Sequence, residues 1–323
     1  MMKGEVCVTG GTGYIASCLI SRLLQRGYTV RTTVRSPQSD VTFLASLPGA
    51  PERLRIFYAN LGAPESFAAA IEGCVGVFHV AHPTDLGAMG PEAVVTRRTI
   101  DAALGILRAC RDSKTVRRVV YTSSAAAVAF NDAPDDATLD ESSWSDVEHV
   151  RALGLYGLTY VVSKTLTEKA VLEFGEKRGL DVVSLVPSFV LGPFLGPRIP
   201  GSVSDTLAMV LGKKEQYPML INISMVHVDD VANAHIFLFE SPHAKGRYIC
   251  SSHEITIHKM AEFLSAKYPQ LPIPTADSVK DVKGPRMNGV SSKKLLDAGF
   301  KYKYGLDEMY DGAIQCCKQK GLL

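Results

Sequence analysis

The chain has 323 residues, of which 46% are hydrophobic and 21% charged, and a formal net charge of +2. These values are ordinary for a soluble globular protein with a substantial core, and the near-balanced charge gives no reason to expect nucleic acid or an anionic membrane as a partner. No signal peptide opens the sequence and no apolar run reaches the roughly 18 residues of a membrane helix. We therefore expect a cytoplasmic protein whose seven irregularly spaced cysteines are reduced thiols.

Short β-branched runs alternate with helical patterns through the first half of the chain. The predicted strands are Val6–Thr9, Thr29–Val34, Leu54–Tyr58, Val75–Val80, Arg118–Thr122 and Asp181–Val186. The predicted helices between them are Ile15–Gln25, Glu65–Ile71, Ala93–Cys110 and about Tyr160–Lys177. This alternation predicts an α/β fold, a doubly wound parallel sheet covered by helices on both faces.

A glycine-rich turn joins the first predicted strand to the first predicted helix. Gly10, Gly13 and Ala16 recur at intervals of three, which is typical of a turn that brings the backbone close to a pyrophosphate at a helix N-terminus. Its place between a strand and an amphipathic helix favours a dinucleotide site over a plain turn. The expected cofactor contacts in this segment are Gly10, Thr12, Gly13, Tyr14 and Ile15.

The second predicted strand bears on the choice of cofactor. NAD-selective proteins usually place an acid about 20 residues after the turn, whereas this chain has no acid between the turn and Asp40 and carries Arg35 instead. A guanidinium at this position would pair with a 2′-phosphate, which predicts NADP(H). Arg31 is expected to point elsewhere, and a purely structural role at a sheet edge remains an alternative for either arginine.

The sequence changes character after Pro187, where prolines and glycines crowd the segment Pro187–Gly201. We predict a Rossmann domain over residues 1–186 that also takes in roughly residues 225–250. Residues 187–323 would then form mainly a smaller substrate-binding lobe. The two lobes should interleave, because Met225–Glu240 and Arg247–Cys250 again resemble sheet-associated elements.

Tyr160 and Lys164 form a candidate acid/base pair, because residues four apart on a helix share a face. A free phenol has a pKa of about 10, and a neighbouring cation would favour the phenolate and bring that pKa toward the working range. Ser123 and Ser124 follow the fifth predicted strand, at the sheet edge where ligands bind. We expect Ser124 to bond the substrate oxygen, Ser123 to lie nearer the cofactor, and Lys164 to bind the nicotinamide ribose.

Together these segments resemble the extended short-chain dehydrogenases/reductases, and within them the plant dihydroflavonol reductase group. The matching segments are Thr9–Ile15, Ala70–His79, Thr122–Ser124, Asp140–Asp146, Tyr160–Lys164, Val210–Gln216, His227–Ala232 and Ile314–Lys318. The resemblance implies the catalytic triad Ser124, Tyr160 and Lys164 with NADP(H) as cofactor. It also implies a structural role for His227–Ala232, which has too few ligands on one face for a metal site.

The resemblance further implies cofactor contacts outside the turn. These are Asn60 and Leu61 at the adenine, Val80, Ala81 and His82 along the dinucleotide, and Pro187, Ser188, Val190 and Ser202 near the nicotinamide. The chain departs from the group's pattern in having Asn60 for an aspartate and in lacking a lysine after Arg35, which weakens the preference for NADPH over NADH. Ala129 stands where dihydroflavonol reductases carry an asparagine for the substrate hydroxyls, which argues against dihydroflavonol as substrate.

We predict an NADPH-dependent reductase of a plant-type specialised metabolite that carries a ketone, with Tyr160 as proton donor. The predicted substrate-pocket residues are His82, Ala129, Tyr156, Phe189, Phe194 and Met225. One alternative is the reverse reaction, an NADP⁺-dependent dehydrogenase acting on an alcohol or hemiacetal, as in a similar alkaloid dehydrogenase. A non-catalytic NADPH-binding sensor is disfavoured because both Tyr160 and Lys164 are present. The sequence leaves a monomer or a weak homodimer open.

Overall fold

The computed structural model describes residues 3–83, 90–134, 137–153, 158–285 and 287–323. The strands are β1 Glu5–Val8, β2 Thr29–Val34, β3 Leu54–Tyr58, β4 Gly76–His79, β5 Arg118–Thr122, β6 Thr138–Leu139, β7 Val182–Pro187, β8 Phe189–Leu191, β9 Asn222–His227, β10 Gly246–Cys250, β11 His253–Thr256 and β12 Gly289–Val290. The helices are α1 Tyr14–Gln25, α2 Thr42–Ala45, α3 Ala50–Arg53, α4 Ala68–Ile71, α5 Glu92–Asp112, α6 Val147–Leu153, α7 Leu158–Arg178, α8 Gly201–Thr206, α9 Val228–Glu240, α10 Ile257–Lys267, α11 Lys293–Asp297 and α12 Leu306–Gln319.

The central sheet has seven strands in the order β10-β7-β5-β4-β1-β2-β3, and every neighbouring pair is parallel. The chain builds the sheet outward from β1 to one edge and then crosses to the other side at β4. The strand order thus reverses between β1 and β4, and ligands of such sheets bind in the crevice at the carboxyl ends of those strands. The predicted doubly wound parallel sheet is confirmed.

Burial on both faces explains why the inner strands are continuous apolar runs. Every residue of β5 and β7 is buried, whereas the edge strand β3 has exposed positions. On one face, apolar residues of α1 such as Leu19 and Leu23 pack with α9 residues such as Val231 in one hydrophobic core. On the other face, α5 and the sheet share a second core around Ile106 and Tyr121.

The chain beyond β7 builds a smaller sheet and its own core. Strand β9 lies between β8, which is parallel to it, and β11, which is antiparallel. Apolar residues of this region, including Met225, Met260 and Tyr310, form a separate hydrophobic core. Strand β10 then returns to the central sheet beside β7. The segment Met225–Glu240 is divided between β9 and α9, and the two are separated at His227.

The His227–Ala232 segment connects α9 to distant parts of the chain. The His227 ring accepts a hydrogen bond from the Asp229 N–H at 3.1 Å and stacks on Tyr304 with 4.0 Å between ring centroids. Asp229 pairs with Arg22 of α1 and accepts from the Tyr304 hydroxyl at 3.0 Å. Within the described ranges, no group of three or more potential metal ligands occurs. A helix long and apolar enough to cross a membrane is likewise not found among the described residues.

Because three histidines are buried, we predict that the fold loses stability in acid. Burial lowers the pKa of His79 to about 3 and the pKa values of His227 and His235 to about 4, against about 6.5 in an unfolded chain. Between about pH 4 and 6.5 the unfolded chain therefore binds more protons, so the free energy of unfolding should fall as the pH drops. We expect His235 alone to account for about 2 kcal/mol between pH 7 and pH 5, as measured by urea unfolding.

The pH dependence of that free energy, rather than its absolute value, identifies the histidines. His235→Gln should flatten the slope between pH 7 and pH 5, whereas His258→Gln, at an exposed position of α10, should leave it unchanged. Asp230 acts in the opposite direction, because burial raises its pKa to about 6 and so favours the protonated folded state. Equal slopes for the wild type and His235→Gln would contradict the assignment.

Candidate active site

The turn between β1 and α1 lies at the carboxyl end of the central strands. Gly10 has a φ of +75°, in the left-handed region that favours glycine, and a Cβ at this position would lie 3.1 Å from the Cα of Ala81. A Cβ on Gly13, the N-cap of α1, would lie 3.0 Å from the carbonyl oxygen of Gly10. Thr33 fixes the turn from β2, because it accepts hydrogen bonds from the Gly10 N–H at 3.1 Å and the Gly11 N–H at 2.8 Å.

The first turn of α1 has the features of a pyrophosphate site. No side chain caps the helix at Gly13, and the first turn contains no acidic residue. Open N–H groups at a helix N-terminus attract anions. Thr9 closes the crevice on the β4 side, since its hydroxyl accepts from the N–H groups of Val80 and Ala81 at 3.1 and 3.0 Å. The residues present therefore fit a dinucleotide that crosses the sheet between β1 and β4.

The two arginines of the β2 region have different surroundings. Arg31 pairs with Glu5 at 2.8 Å and donates to the carbonyl oxygens of Ala69 and Glu72. Arg35 follows β2 directly and is exposed, and no side chain in the described part of the chain pairs with it. Arg31 is thus occupied by structural contacts, whereas the Arg35 guanidinium is free to donate hydrogen bonds to a phosphate beside the turn.

Tyr160, Lys164 and Ser124 come together where β5 ends. Lys164 Nζ lies 5.9 Å from the centroid of the Tyr160 ring and donates to the carbonyl oxygen of Thr122 at 3.0 Å. The Ser124 hydroxyl caps the short 3₁₀ turn that follows it, accepting from a backbone N–H at 3.2 Å. Tyr160 keeps 38% of its surface exposed, whereas Lys164 keeps only 4%. The phenol is therefore the accessible member of the pair, and the lysine is the buried one.

Desolvation shifts the pKa values of both members of this pair. It raises the pKa of Tyr160, and a hydrogen bond with Ser124 opposes that rise. It also lowers the pKa of Lys164 to about 7, although the Glu168 carboxylate acts in the other direction. The expectation that Lys164 and an oxidised cofactor together lower the phenol pKa stays a prediction.

The structure places Ser123 differently from its neighbour Ser124. Ser123 is only 3% exposed, and its hydroxyl donates to Glu168 Oε2 at 2.7 Å. Its side chain is therefore used in a buried contact with α7, and only its backbone can reach a cofactor.

The other predicted cofactor positions differ in exposure. Thr12, Gly13, Arg35 and Asn60 are exposed, Gly10, Tyr14, Ile15, Leu61, Val80, Ala81, His82 and Ser202 are half-buried, and Pro187, Ser188 and Val190 are buried. The Asn60 side chain accepts from the Gly62 N–H at 2.9 Å, so one of its polar atoms already stabilises the local turn.

His82 is the predicted substrate residue that lies beside the catalytic pair. Its ring centroid is 5.7 Å from that of Tyr160, with the planes perpendicular at 90°. Burial holds the pKa of His82 well below its ordinary value, with Lys164 contributing in the same direction. Its Nε2 is buried and has no hydrogen-bond partner within the described ranges. His82 is therefore a neutral side chain whose ring packs perpendicular to the ring of Tyr160.

The remaining substrate predictions divide into one half-buried position and three buried ones. Phe189 is half-buried, whereas Ala129, Phe194 and Met225 are 5%, 4% and 0% exposed. Phe194 and Met225 belong to the core of the C-terminal region in this structure. Tyr156 lies outside the described residues.

Sequence reasoning did not find Glu168. This residue contacts Ser123, and its carboxylate opposes the lowering of the Lys164 pKa. One signal was available, since an acid four residues after Lys164 lies on the same face of a helix. Nothing in the neighbouring sequence indicates that Glu168 is completely buried or that its partners lie on other elements.

A parallel sheet with this strand order, an anion-accepting glycine turn and a Tyr-x-x-x-Lys pair define a nicotinamide-dependent oxidoreductase of the Rossmann type. The family model described as "NAD dependent epimerase/dehydratase family" matches residues 6–250. The chain belongs to this family.

The chain is similar over its whole length to plant reductases. It is 54% identical over 324 residues to vestitone reductase of Medicago sativa, covering 99% of each chain. The crystal structure of vestitone reductase from alfalfa superposes with a TM-score of 0.90, covering 99% of this chain and 100% of that one. A dihydroflavonol 4-reductase of Hordeum vulgare is 45% identical over 323 residues, which are 99% of this chain and 91% of the relative.

A more distant structure shares the fold. Yeast methylglyoxal/isovaleraldehyde reductase Gre2, complexed with NADPH, has a TM-score of 0.83 at 23% identity and covers 99% of this chain and 100% of that one. The comparisons confirm the predicted family, the fold and the oxidoreductase class.

Proposed function

We propose that the chain reduces the ketone of a plant specialised metabolite, with Tyr160 as proton donor, Ser124 as the hydroxyl that orients the carbonyl, and Lys164 as the residue that holds the cofactor ribose. The observation that carries this proposal is the phenol of Tyr160. The phenol is partly exposed, its pKa lies above its ordinary value, and it lies beside Ser124 at the sheet edge where the glycine turn is expected to bind a dinucleotide.

The cofactor is NADP(H), bound by the turn from Gly10 to Ile15 and by Arg35 at the 2′-phosphate. When bound, NADPH supplies the hydride that reduces the carbonyl carbon. The first turn of α1 would hold the pyrophosphate with its N–H groups. Asn60 and Leu61 would lie at the adenine, and Ser202 near the nicotinamide.

The protein's own part of the reaction is orientation and proton transfer. Ser124 donates a hydrogen bond to the substrate oxygen and so polarises the carbonyl. Tyr160 then transfers its phenolic proton to that oxygen as negative charge develops there. Lys164 lies behind the ring and stabilises the resulting phenolate when its amine is protonated. The neutral ring of His82 packs against Tyr160 and limits the positions the phenol can take.

The reductive direction is proposed because the chain is similar over its full length to named reductases. Tyr160 can serve in either direction, since its phenol gives a proton in reduction and takes one back in oxidation.

The substrate is proposed to be an isoflavanone-like aryl ketone with few hydroxyl groups on the reacting ring. A vestitone reductase is 54% identical, and the apolar Ala129 offers no hydrogen bond to a dihydroflavonol hydroxyl. His82 and Phe189 are the described residues proposed to contact the substrate.

A substrate panel tests this function. We expect purified protein to consume NADPH with isoflavanones at least about tenfold faster, in kcat/KM, than with dihydroflavonols. Simple aryl ketones and, with NADP⁺, alkaloid hemiacetals complete the panel. The reductase proposal would be overturned if NADPH reduced none of the ketones while a hemiacetal was oxidised rapidly with NADP⁺.

The organisation and setting of the enzyme are also proposals. Residues 1–186, with roughly 225–250, form the cofactor domain, because β10 and α9 pack with the central sheet. Residues 187–323 form mainly the substrate lobe. The enzyme is proposed to act in the cytoplasm as a monomer or a weak homodimer, which size-exclusion chromatography with light scattering would decide.

A further inference from the structure

Glu168 is a fully buried carboxylate one helical turn after Lys164. It is 0% exposed, and a buried charge is retained only when it is paired and hydrogen-bonded. Arg247 of β10 supplies a two-pronged ion pair, with Nε 2.9 Å from Oε1 and Nη2 3.1 Å from Oε2. The hydroxyls of Ser123 and Ser184 donate to the same carboxylate at 2.7 and 2.6 Å. These three partners lie on β7, on β10 and directly after β5 of the central sheet.

Arg247 is itself held in place from the opposite side. Its Nη1 donates to the carbonyl oxygens of Glu141 and Ser143 at 3.0 and 2.6 Å. Its guanidinium carbon lies 3.6 Å from the centroid of the Trp144 ring, which is a close cation–π contact. The ion pair thus has a fixed geometry, because both partners are anchored by further bonds.

These contacts reach the catalytic residues through consecutive positions of the chain. Helix α7 bonds to the end of β5 twice, from Lys164 to the Thr122 carbonyl at 3.0 Å and from Ser123 to Glu168 at 2.7 Å. Ser124 is the next residue along. The separation of Tyr160, on the helix, from Ser124, on the strand end, is therefore set by these two bonds.

Glu168 is also the negative group that acts on Lys164. The other groups around the amine are the rings of Tyr160 and Tyr121, at 5.9 and 5.8 Å from Nζ, and the histidines His79 and His82. Burial keeps the pKa of each of these histidines far below neutrality and that of each tyrosine above its ordinary value. All four are thus uncharged at pH 7, and among the described residues Glu168 alone opposes the burial that lowers the pKa of Lys164.

We propose that Glu168, held by Arg247, is a positioning residue of the reaction that favours the ammonium form of Lys164 and fixes the strand end that carries Ser124. The inference rests on the roles proposed above for Lys164 and Ser124. It assigns to the buried ion pair an electrostatic effect on the site in addition to its structural one.

The test is a pH titration of Lys164 in the cofactor-free protein. The titration is monitored by NMR of lysine labelled with ¹³C at Cε, and the Lys164 signal is assigned by its loss in Lys164→Arg. Glu168→Gln removes the negative charge and leaves the Arg247 cation nearby. We expect the Lys164 midpoint to move to lower pH by about one unit, and the alkaline limb of the kcat profile to move with it. Activity should recover as the pH is lowered, which a purely structural defect would not show.

Glu176→Gln is the matched control, since it is the same substitution at an exposed position of the same helix. It should leave the Lys164 midpoint and the kcat profile unchanged. Should Glu168→Gln fail to fold, the double variant Glu168→Gln/Arg247→Gln removes both charges and leaves no lone buried ion. Its midpoint should shift in the same direction by a smaller amount, because the loss of the Arg247 cation partly offsets the loss of the carboxylate.

A Lys164 midpoint in Glu168→Gln, or in the double variant, equal to that of the wild type would overturn the inference. A failure of the proposed function has a different signature. Retention of turnover by Lys164→Met would remove the catalytic role of the lysine, while the NMR shift caused by Glu168→Gln would persist.

Discussion

Tyr160→Phe is expected to lower kcat by a factor of about 10² to 10⁴, the usual contribution of a positioned proton donor. The substitution removes only the phenolic hydroxyl, which is the group proposed to give the proton. His82 is the nearest titratable ring, but burial holds its pKa so low that it carries no proton to give as an acid at neutral pH. The affinity for NADPH, measured by fluorescence titration, should change by no more than about twofold.

Tyr28→Phe is the control for this substitution. Tyr28 precedes β2 at the opposite end of the sheet, and its hydroxyl donates to Glu240 at 2.8 Å. The variant loses a hydrogen bond far from the site, so its kcat should equal that of the wild type. If Tyr160→Phe kept most of its turnover, the proton-donor role would have to be abandoned.

Arg35→Ala is expected to weaken NADPH binding by about 10-fold to 100-fold and to leave NADH binding nearly unchanged. The reason is the loss of a charge-assisted bond to the 2′-phosphate, a contact that contributes about 1.5–3 kcal/mol. No described side chain pairs with Arg35, so its removal should not disturb the fold. Dissociation constants for both cofactors, measured by calorimetry at one fixed salt concentration, give the comparison.

Arg117→Ala is the matched variant, because Arg117 is also exposed but precedes β5 at the amino end of the sheet. It should bind both cofactors as the wild type does. Equal losses of NADPH and NADH affinity in Arg35→Ala would contradict the 2′-phosphate role. Because no lysine follows Arg35, we expect this guanidinium to be the main source of the preference for NADPH over NADH. The measurement tests that preference directly.

Local patterns were sufficient for the central sheet. The predicted bounds of β2, β3 and β5 agree with the structure, and those of α1, α5 and α7 differ by one or two residues. These elements have strong periodicity and are bounded by turns, which is why a short window of sequence defines them. The segment Met225–Glu240 has no such internal boundary, and its division at His227 depends on a cap and on stacking with Tyr304.

The structure buries two residues that the sequence assigns to the substrate pocket. Met225 and Phe194 are apolar residues near the expected pocket, yet the structure buries them in the C-terminal core. Apolar character identifies residues that leave water but does not distinguish a core from a pocket wall. Ser123 has a polar side chain at the expected sheet edge, but its hydroxyl is used by Glu168 on another element.

The sequence by itself determined the glycine turn, the Tyr160–Lys164 spacing and the arginine after β2, because each depends on residues close together in the chain. Only the tertiary structure decided the burial of Lys164, the pairing of Glu168 with Arg247, and the exposure of each predicted pocket residue. These properties depend on how much water and which charges surround a group. Those surroundings come from strands and helices that are distant in sequence, so no local pattern encodes them.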